Sequence, residues 1–280
     1  MLVHNDIVIN GDHHKPIVID VTYMENSSNL PIIIFCHGYK GFKDWGAWNV
    51  MADQFAKAGF CFIKFNFSHN GGTVSQPIDF PNLEAFGNNN YTKELDDLQS
   101  VLDWIESNSK LKNIANPDRI SLIGHSRGGG IALIKAEEDE RIKEVISLAS
   151  VCDFGSRMTA LGDLENWKQT GVIHVLNGRT KQKMPHYYQF YEDFKANEKR
   201  LTIKRAVSNL NKPHLIIHGN QDDSVLLNEA EQLHEWNPKS DFQIIDEANH
   251  VFGTSHPWEK DYLPSHLNEV VKKSIKFLKK

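Results

Sequence analysis

The sequence predicts an α/β protein, built on a mainly parallel sheet with helices on both faces. Short, continuously apolar runs recur along the chain, as expected of strands buried on both sides. Amphipathic helical patterns lie between them, and alternating strand and helix builds a parallel sheet. A single long break in that rhythm predicts a small inserted cap.

The first two β-rich stretches, IVIN and PIVIDVTYM, carry β-branched residues with turn residues between them and read as an antiparallel start. The buried-strand runs follow in order: PIIIFC (Pro31 to Cys36), FCFIKFNF (Phe60 to Phe67), RISLIG (Arg119 to Gly124), VISLAS (Val145 to Ser150), PHLIIH (Pro213 to His218) and FQIID (Phe242 to Asp246). Among the intervening helices the clearest is YTKELDDLQSVLDWIESNS, where Leu95, Leu98, Val101, Leu102 and Ile105 recur at helical spacing. A helical pattern, LNEVVKKSIKFLKK, also closes the chain.

Between VISLAS and PHLIIH lie about sixty residues, far more than one crossover helix needs. Within them, GVIHVLNGRTKQKM places strand-like runs either side of Asn177-Gly178, a type I′ hairpin signal, and QFYEDFKANEKR reads as helix. The expectation is one domain over residues 1–280, with a cap over residues 153–205 at the sheet's carboxyl edge, where open α/β sheets bind ligands. An elaborated surface loop without function is the alternative. Trp167, Tyr187, Tyr188, Phe190 and Tyr191 would pack this segment onto the body or line an apolar pocket, packing being the expected role.

Composition narrows the function. At 280 residues, 40% hydrophobic and 24% charged, the chain has the make-up of an ordinary globular protein. Its 31 basic and 36 acidic residues are mixed along the sequence, leaving a net charge of -5 and no basic stripe to meet a nucleic-acid backbone. The opening MLVHNDIVINGD has no leader pattern, and no window approaches the roughly 20 apolar residues that span a bilayer. A cytoplasmic, unprocessed protein with no nucleic-acid or membrane partner is expected. Cys36, Cys61 and Cys152 each sit in an apolar run without metal-ligand spacing and read as small buried hydrophobes.

The chemistry centres on Gly124-His125-Ser126-Arg127-Gly128, a G-x-S-x-G pattern placed directly after an apolar strand and before the helical run GGIALIKAEEDE. A nucleophile on so sharp a turn needs small residues two positions either side. The helix that follows aims its amino-terminal N–H groups at developing negative charge. A serine hydroxyl needs a base, and among 14 histidines His250 is the candidate because it follows the last strand, in ANHVFG, giving the order Ser, Asp, His. His256 satisfies the same order and is the rival, whereas His37, His125 and His218 have structural roles open to them. Asp222, three positions beyond Gly219 in HGNQDDSV, is the candidate acid, with Asp223 the alternative. Backbone N–H groups of Tyr39, in HGYKGFKDWG, and of Arg127 are the candidate oxyanion donors. The run carries no HGGG signature.

Through HGYKG, FNFSHNG, GHSRGG, HGNQDDSV and ANHVFG, in that order, the chain resembles the α/β-hydrolase superfamily over nearly its whole length. Within it, the sequence is similar to bacterial cinnamoyl and feruloyl esterases and to dienelactone-hydrolase and prolyl-oligopeptidase-type domains. The resemblance implies the α/β-hydrolase fold with eight strands, a cap after the sixth, and no cofactor or metal. It assigns nucleophile, acid and base to Ser126, Asp222 and His250. FNFSHNG departs from the FDxRGxG run of many relatives by lacking its arginine. The leading expectation is a serine hydrolase acting on a small-molecule carboxylic ester. Peptide or amide hydrolysis is the second reading, and a non-catalytic binding protein on the same fold is a third that would need none of these residues.

Overall fold

A computed structural model describes residues 1–280. In chain order the elements are β1 (Leu2–Asn10), β2 (Pro16–Tyr23), β3 (Leu30–Cys36), α1 (Trp48–Lys57), β4 (Cys61–Asn66), α2 (Leu83–Gly87), α3 (Tyr91–Ser107), α4 (Ser109–Lys112), β5 (Ala115–His125), α5 (Arg127–Glu138) and β6 (Ile142–Leu148). Then come α6 (Phe154–Thr159), α7 (Leu164–Thr170), β7 (Val172–Leu176), β8 (Lys183–Tyr187), α8 (Gln189–Ala196), α9 (Ile203–Asn209), β9 (His214–Gly219), α10 (Leu227–Trp236), β10 (Asp241–Ile245) and α11 (Ser265–Leu278).

Eight strands form one sheet in the order β1-β2-β4-β3-β5-β6-β9-β10. β1 pairs antiparallel with β2, and β2 antiparallel with β4; the other pairings are parallel. The eight strands, mostly parallel with helices on both faces, are those the sequence led us to expect.

The apolar runs form central strands because both faces are covered. Along β3, Ile32 and Ile34 join a core of 45 residues on one side, while Ile33 and Phe35 join a core of 24 on the other. Strand side chains alternate between faces, so an unbroken apolar run is what two cores require. The predicted stripe of α3 is fully buried: Leu95, Leu98, Val101, Leu102 and Ile105 are all 0% exposed. Asn90 starts that helix by accepting the Lys93 N–H at 2.9 Å, relieving one unpaired amino-terminal donor. All three cysteines are free and buried. No helix is long and apolar enough to cross a membrane.

The segment between β6 and β9 holds α6 to α9 and the separate antiparallel pair β7-β8. Here one expectation needs correcting. Leu176 pairs with Lys183, so residues 177–182 form a longer loop rather than a two-residue type I′ turn. Asn177 is consumed as a local cap instead, its side chain accepting the N–H groups of Arg179 and Thr180 at 3.0 and 3.2 Å, and the positive φ falls on Lys181. Trp167 and Phe190 are buried, with the Trp167 indole N–H donating to His186 O at 2.8 Å. None of the five aromatics named above lines the cavities at Ser126.

Candidate active site

Ser126 stands between the end of β5 and the start of α5 with φ 56° and ψ -121°, a region that non-glycine residues seldom occupy. The bend is tight enough that a Cβ on Gly124 would lie 2.2 Å from Gly128 O, and one on Gly128 would lie 2.3 Å from Cys36 O. Glycine at both positions is therefore a steric necessity, which is the physical content of the sequence pattern. The Ser126 N–H donates to Leu148 O at 2.9 Å, fixing the turn against β6.

Asp222 and His250 reach this turn from two further loops. β9 ends at Gly219, where a Cβ would come 2.1 Å from Ala248 O, so the loops after β9 and β10 lie in contact. The Gln221 N–H donates to Ala248 O at 3.0 Å across the same junction. His250 Nδ1 donates to Asp222 Oδ2 at 2.8 Å, and Ser126 Oγ donates to His250 Nε2 at 3.1 Å. Asp222 Oδ1 accepts the backbone N–H groups of Ser224 and Val225, both at 2.9 Å. Burial pushes the Asp222 carboxyl up, but hydrogen bonds from His218, His250 and Val225 outweigh it and hold the group well below the usual carboxylate range. An ionised, immobilised carboxylate fixes the imidazole with Nδ1 protonated and Nε2 free to accept a proton.

The other histidines are placed elsewhere. His125 Nε2 donates to His250 O at 2.9 Å and so pins the His250 backbone; burial holds its pKa at about 3, and the ring stays neutral. His218 Nε2 donates to Val225 O at 2.8 Å. His37 is hydrogen-bonded to Gly38 O at 2.9 Å. His256 Nδ1 accepts the Gly46 N–H at 3.0 Å and makes no hydrogen bond to Ser126, and its ring lies edge-on to Phe42. Asp223 is exposed and meets Ser224 Oγ at 3.2 Å.

The Tyr39 N–H makes no hydrogen bond within the chain. Arg127 is the first residue of α5, so its N–H is one of the helix's unpaired amino-terminal donors. Gly38, preceding Tyr39, lies so close to Ser126 that a Cβ on it would be 2.9 Å from the Ser126 Cβ. The two amides thus belong to the loop after β3, which touches Ser126 at Gly38, and to the first residue of α5. Two cavities open on Ser126, of about 250 and 390 Å³, sharing Tyr39, Lys40 and His250. The smaller includes Trp45, Trp48 and Arg179, and the larger is walled by Val151, Phe154, Leu161 and Val225 with Arg127 and Arg157.

Sequence reasoning had not singled out the side chains of Lys40, Arg127, Arg157 and Arg179, which all line these cavities. Arg127 itself carries one of the candidate backbone amides and Lys40 follows Tyr39, which carries the other, and that was the available signal. Arg157 and Arg179 come from the inserted segment and carried none.

An eight-stranded sheet with a serine elbow after its fifth strand defines an α/β hydrolase. The family model for the alpha/beta hydrolase fold matches residues 31–170, and the chain belongs to this family. Among solved structures, Est1E from Butyrivibrio proteoclasticus with ferulic acid bound superposes with a TM-score of 0.75 at 18% identity, covering 97% of each chain. A dienelactone hydrolase from Anabaena variabilis gives 0.63 at 15% identity, covering 99% of this chain and 97% of that one. A quorum-quenching protein, AidA, of Acinetobacter baumannii is 25% identical over 142 residues, 51% of this chain and 42% of its own. An uncharacterized 31.7 kDa protein of Escherichia coli is 27% identical over 178 residues, 61% of this chain and 55% of its own, so the match spans about half the length of these curated relatives.

Proposed function

We propose that the protein is a serine hydrolase cleaving a small-molecule carboxylic ester, with Ser126 as nucleophile, His250 as base and Asp222 as the acid that orients it. One observation carries the reading: an unbroken hydrogen-bond relay from Ser126 Oγ to His250 Nε2 at 3.1 Å and from His250 Nδ1 to Asp222 Oδ2 at 2.8 Å. Ser126 Oγ attacks the ester carbonyl as its proton passes to His250 Nε2. The carbonyl oxygen, now negative, is met by the N–H groups of Tyr39 and Arg127, a kind of contact worth about 10²–10³ in rate per donor. The tetrahedral intermediate collapses, its alcohol leaving with the proton from His250 and the acyl group remaining on Ser126. Water repeats the sequence, its proton passing to His250 and then to Ser126 Oγ, and the acid is released.

Solved neighbours lend support by analogy: Est1E was captured with ferulic acid, a carboxylic acid of the kind that ester hydrolysis releases, and an esterase domain from Rhodothermus marinus shares the fold at a TM-score of 0.63. We infer a cytoplasmic location, with which three free, buried cysteines are compatible. The test is Ser126→Ala against a short p-nitrophenyl ester. The variant is expected to melt like wild type and to lose at least about 10⁴-fold in kcat. Turnover near that of wild type removes Ser126 from the mechanism.

A further inference from the structure

The cleft at Ser126 is electropositive in an acidic protein. The chain carries a net charge of -5, yet the two cavity walls hold Lys40, Arg127, Arg157 and Arg179 and no Asp or Glu. Three of these cations are matched by carboxylates outside the lining: Arg127 by Glu94 at 3.4 Å, Arg157 by Glu229, and Arg179 by Asp79. Lys40 has no such partner. Its Nζ donates only to Leu176 O, at 3.3 Å, at the end of β7.

Lys40 lines both cavities and packs on the ring of Tyr39, its Nζ 4.9 Å from the ring centre; the Arg127 guanidinium lies 4.4 Å from the same centre. Two cations therefore gather on one aromatic ring beside Ser126. Arg127 donates one side-chain hydrogen bond, to Glu94, although a guanidinium offers five donors. The mutual repulsion is felt locally. Burial and then the Arg127 charge pull the Lys40 ammonium below its ordinary value, and His186, hydrogen-bonded to the Tyr39 hydroxyl at 2.7 Å, is held at about 3 by burial and then by Arg127 and Lys40. Lys40 is also kept at φ 54°, where a lysine is disfavoured and where strain tends to be retained for function. A half-buried ammonium without counter-charge is costly until an anion arrives to offset it.

We propose that the ester taken by Ser126 carries a carboxylate on its acyl part, seated between Lys40 and Arg127, so that Lys40 sets specificity for half-esters of short dicarboxylic acids. This deepens the hydrolase reading and rests on it. Because Glu94 cancels one of the two positive charges, the surplus suits a monoanionic carboxylate better than a phosphate dianion. The apolar wall of Val151, Phe154, Leu161 and Val225 accommodates the few carbons between the two ends.

The experiment titrates Ser126→Ala with monoethyl succinate and with ethyl isocaproate, its neutral isostere, and follows wild-type hydrolysis of both in parallel. A charge-assisted contact predicts at least about ten-fold tighter binding of the anionic ester, weakening with salt. Adding Lys40→Gln is expected to bring the ratio below about three-fold, any general damage cancelling in the ratio. A ratio near one, a ratio indifferent to Lys40→Gln, or no binding of monoethyl succinate at millimolar concentration overturns the inference. Hydrolysis of both esters without anion preference leaves the ester-hydrolase reading standing and this inference overturned. Anion-selective binding without hydrolysis of either ester leaves only an anion seat at Lys40 and Arg127, and overturns the ester-hydrolase reading together with the substrate specificity assigned to Lys40.

Discussion

Replacing Asp222 by asparagine tests the relay at its deepest point, because the structure dictates how the new amide must lie. Asp222 Oδ1 accepts two backbone N–H groups, from Ser224 and Val225, each at 2.9 Å, so the oxygen of an asparagine is held on that side. Its NH₂ then faces His250 Nδ1, which lies 2.8 Å from Oδ2 in the native site. A donor there forces the imidazole proton onto Nε2, the atom that must accept from Ser126 Oγ across 3.1 Å. Nε2 cannot both carry a proton and take one. A wrong tautomer in a serine triad costs on the order of 10⁴ in kcat, about 5 kcal/mol of barrier. The site is near the surface but the Asp222 side chain is 0% exposed, so water does not substitute for the lost acceptor. The assay is kcat for p-nitrophenyl butyrate, beside a thermal melt to show the variant folded and Asp223→Asn as a matched control on an exposed carboxylate. A folded Asp222→Asn enzyme within ten-fold of wild type would falsify the tautomer argument, and equal losses in both variants would move the acid away from Asp222.

Three further outcomes follow from particular contacts. Gly124→Ala places a Cβ 2.2 Å from Gly128 O, backbone against backbone, and is expected to cost about 3 kcal/mol or more in denaturant unfolding; a near-wild-type midpoint contradicts the packing of the elbow. His256→Ala removes the acceptor for the Gly46 N–H and is expected to lower stability by about 1–2 kcal/mol while kcat stays within ten-fold, whereas His250→Ala falls to the level of Ser126→Ala; the reverse pattern makes His256 the base. Burial pushes the Asp97 carboxyl up from 3.8 to about 7, against hydrogen bonds from Ser68. Its folded value lies above its unfolded one, so the native state holds the extra proton, and stability is greatest below the lower value and lost as pH rises through the window between them. Asp97→Asn is therefore expected to gain on wild type between about pH 4 and 7, by on the order of 4 kcal/mol, in paired unfolding curves; a pH-independent difference refutes it.

What the sequence disclosed and what it withheld divide along a physical line. Ser126 was legible because its constraint is local: Gly124 and Gly128 make room for backbone within a few residues, and the strand and helix either side are written in the same stretch. β3 and α3 were legible because burial on two faces or on one stripe imposes a period that a window detects. That Asp222 and His250 would come together beside Ser126 was expected from chain order and from the place of Asp222 three residues beyond Gly219, since nothing in HGNQDDSV or ANHVFG states that the loops touch at Gly219 and Ala248. The loop after β7 was misread for the converse reason. Asn-Gly is a strong local preference, but the pairing of Leu176 with Lys183, with Met184 buried beneath, sets a register that leaves six residues to close the turn. The cations around Ser126 lie beyond any local rule. What matters for Arg127 is Glu94 on α3, and for Lys40 the absence of any such carboxylate, and a missing partner is a property of the whole packed molecule. Charge that folding leaves unmatched is for that reason the feature of this cleft that only three-dimensional structure exposes, and the one through which we propose that it selects an ester.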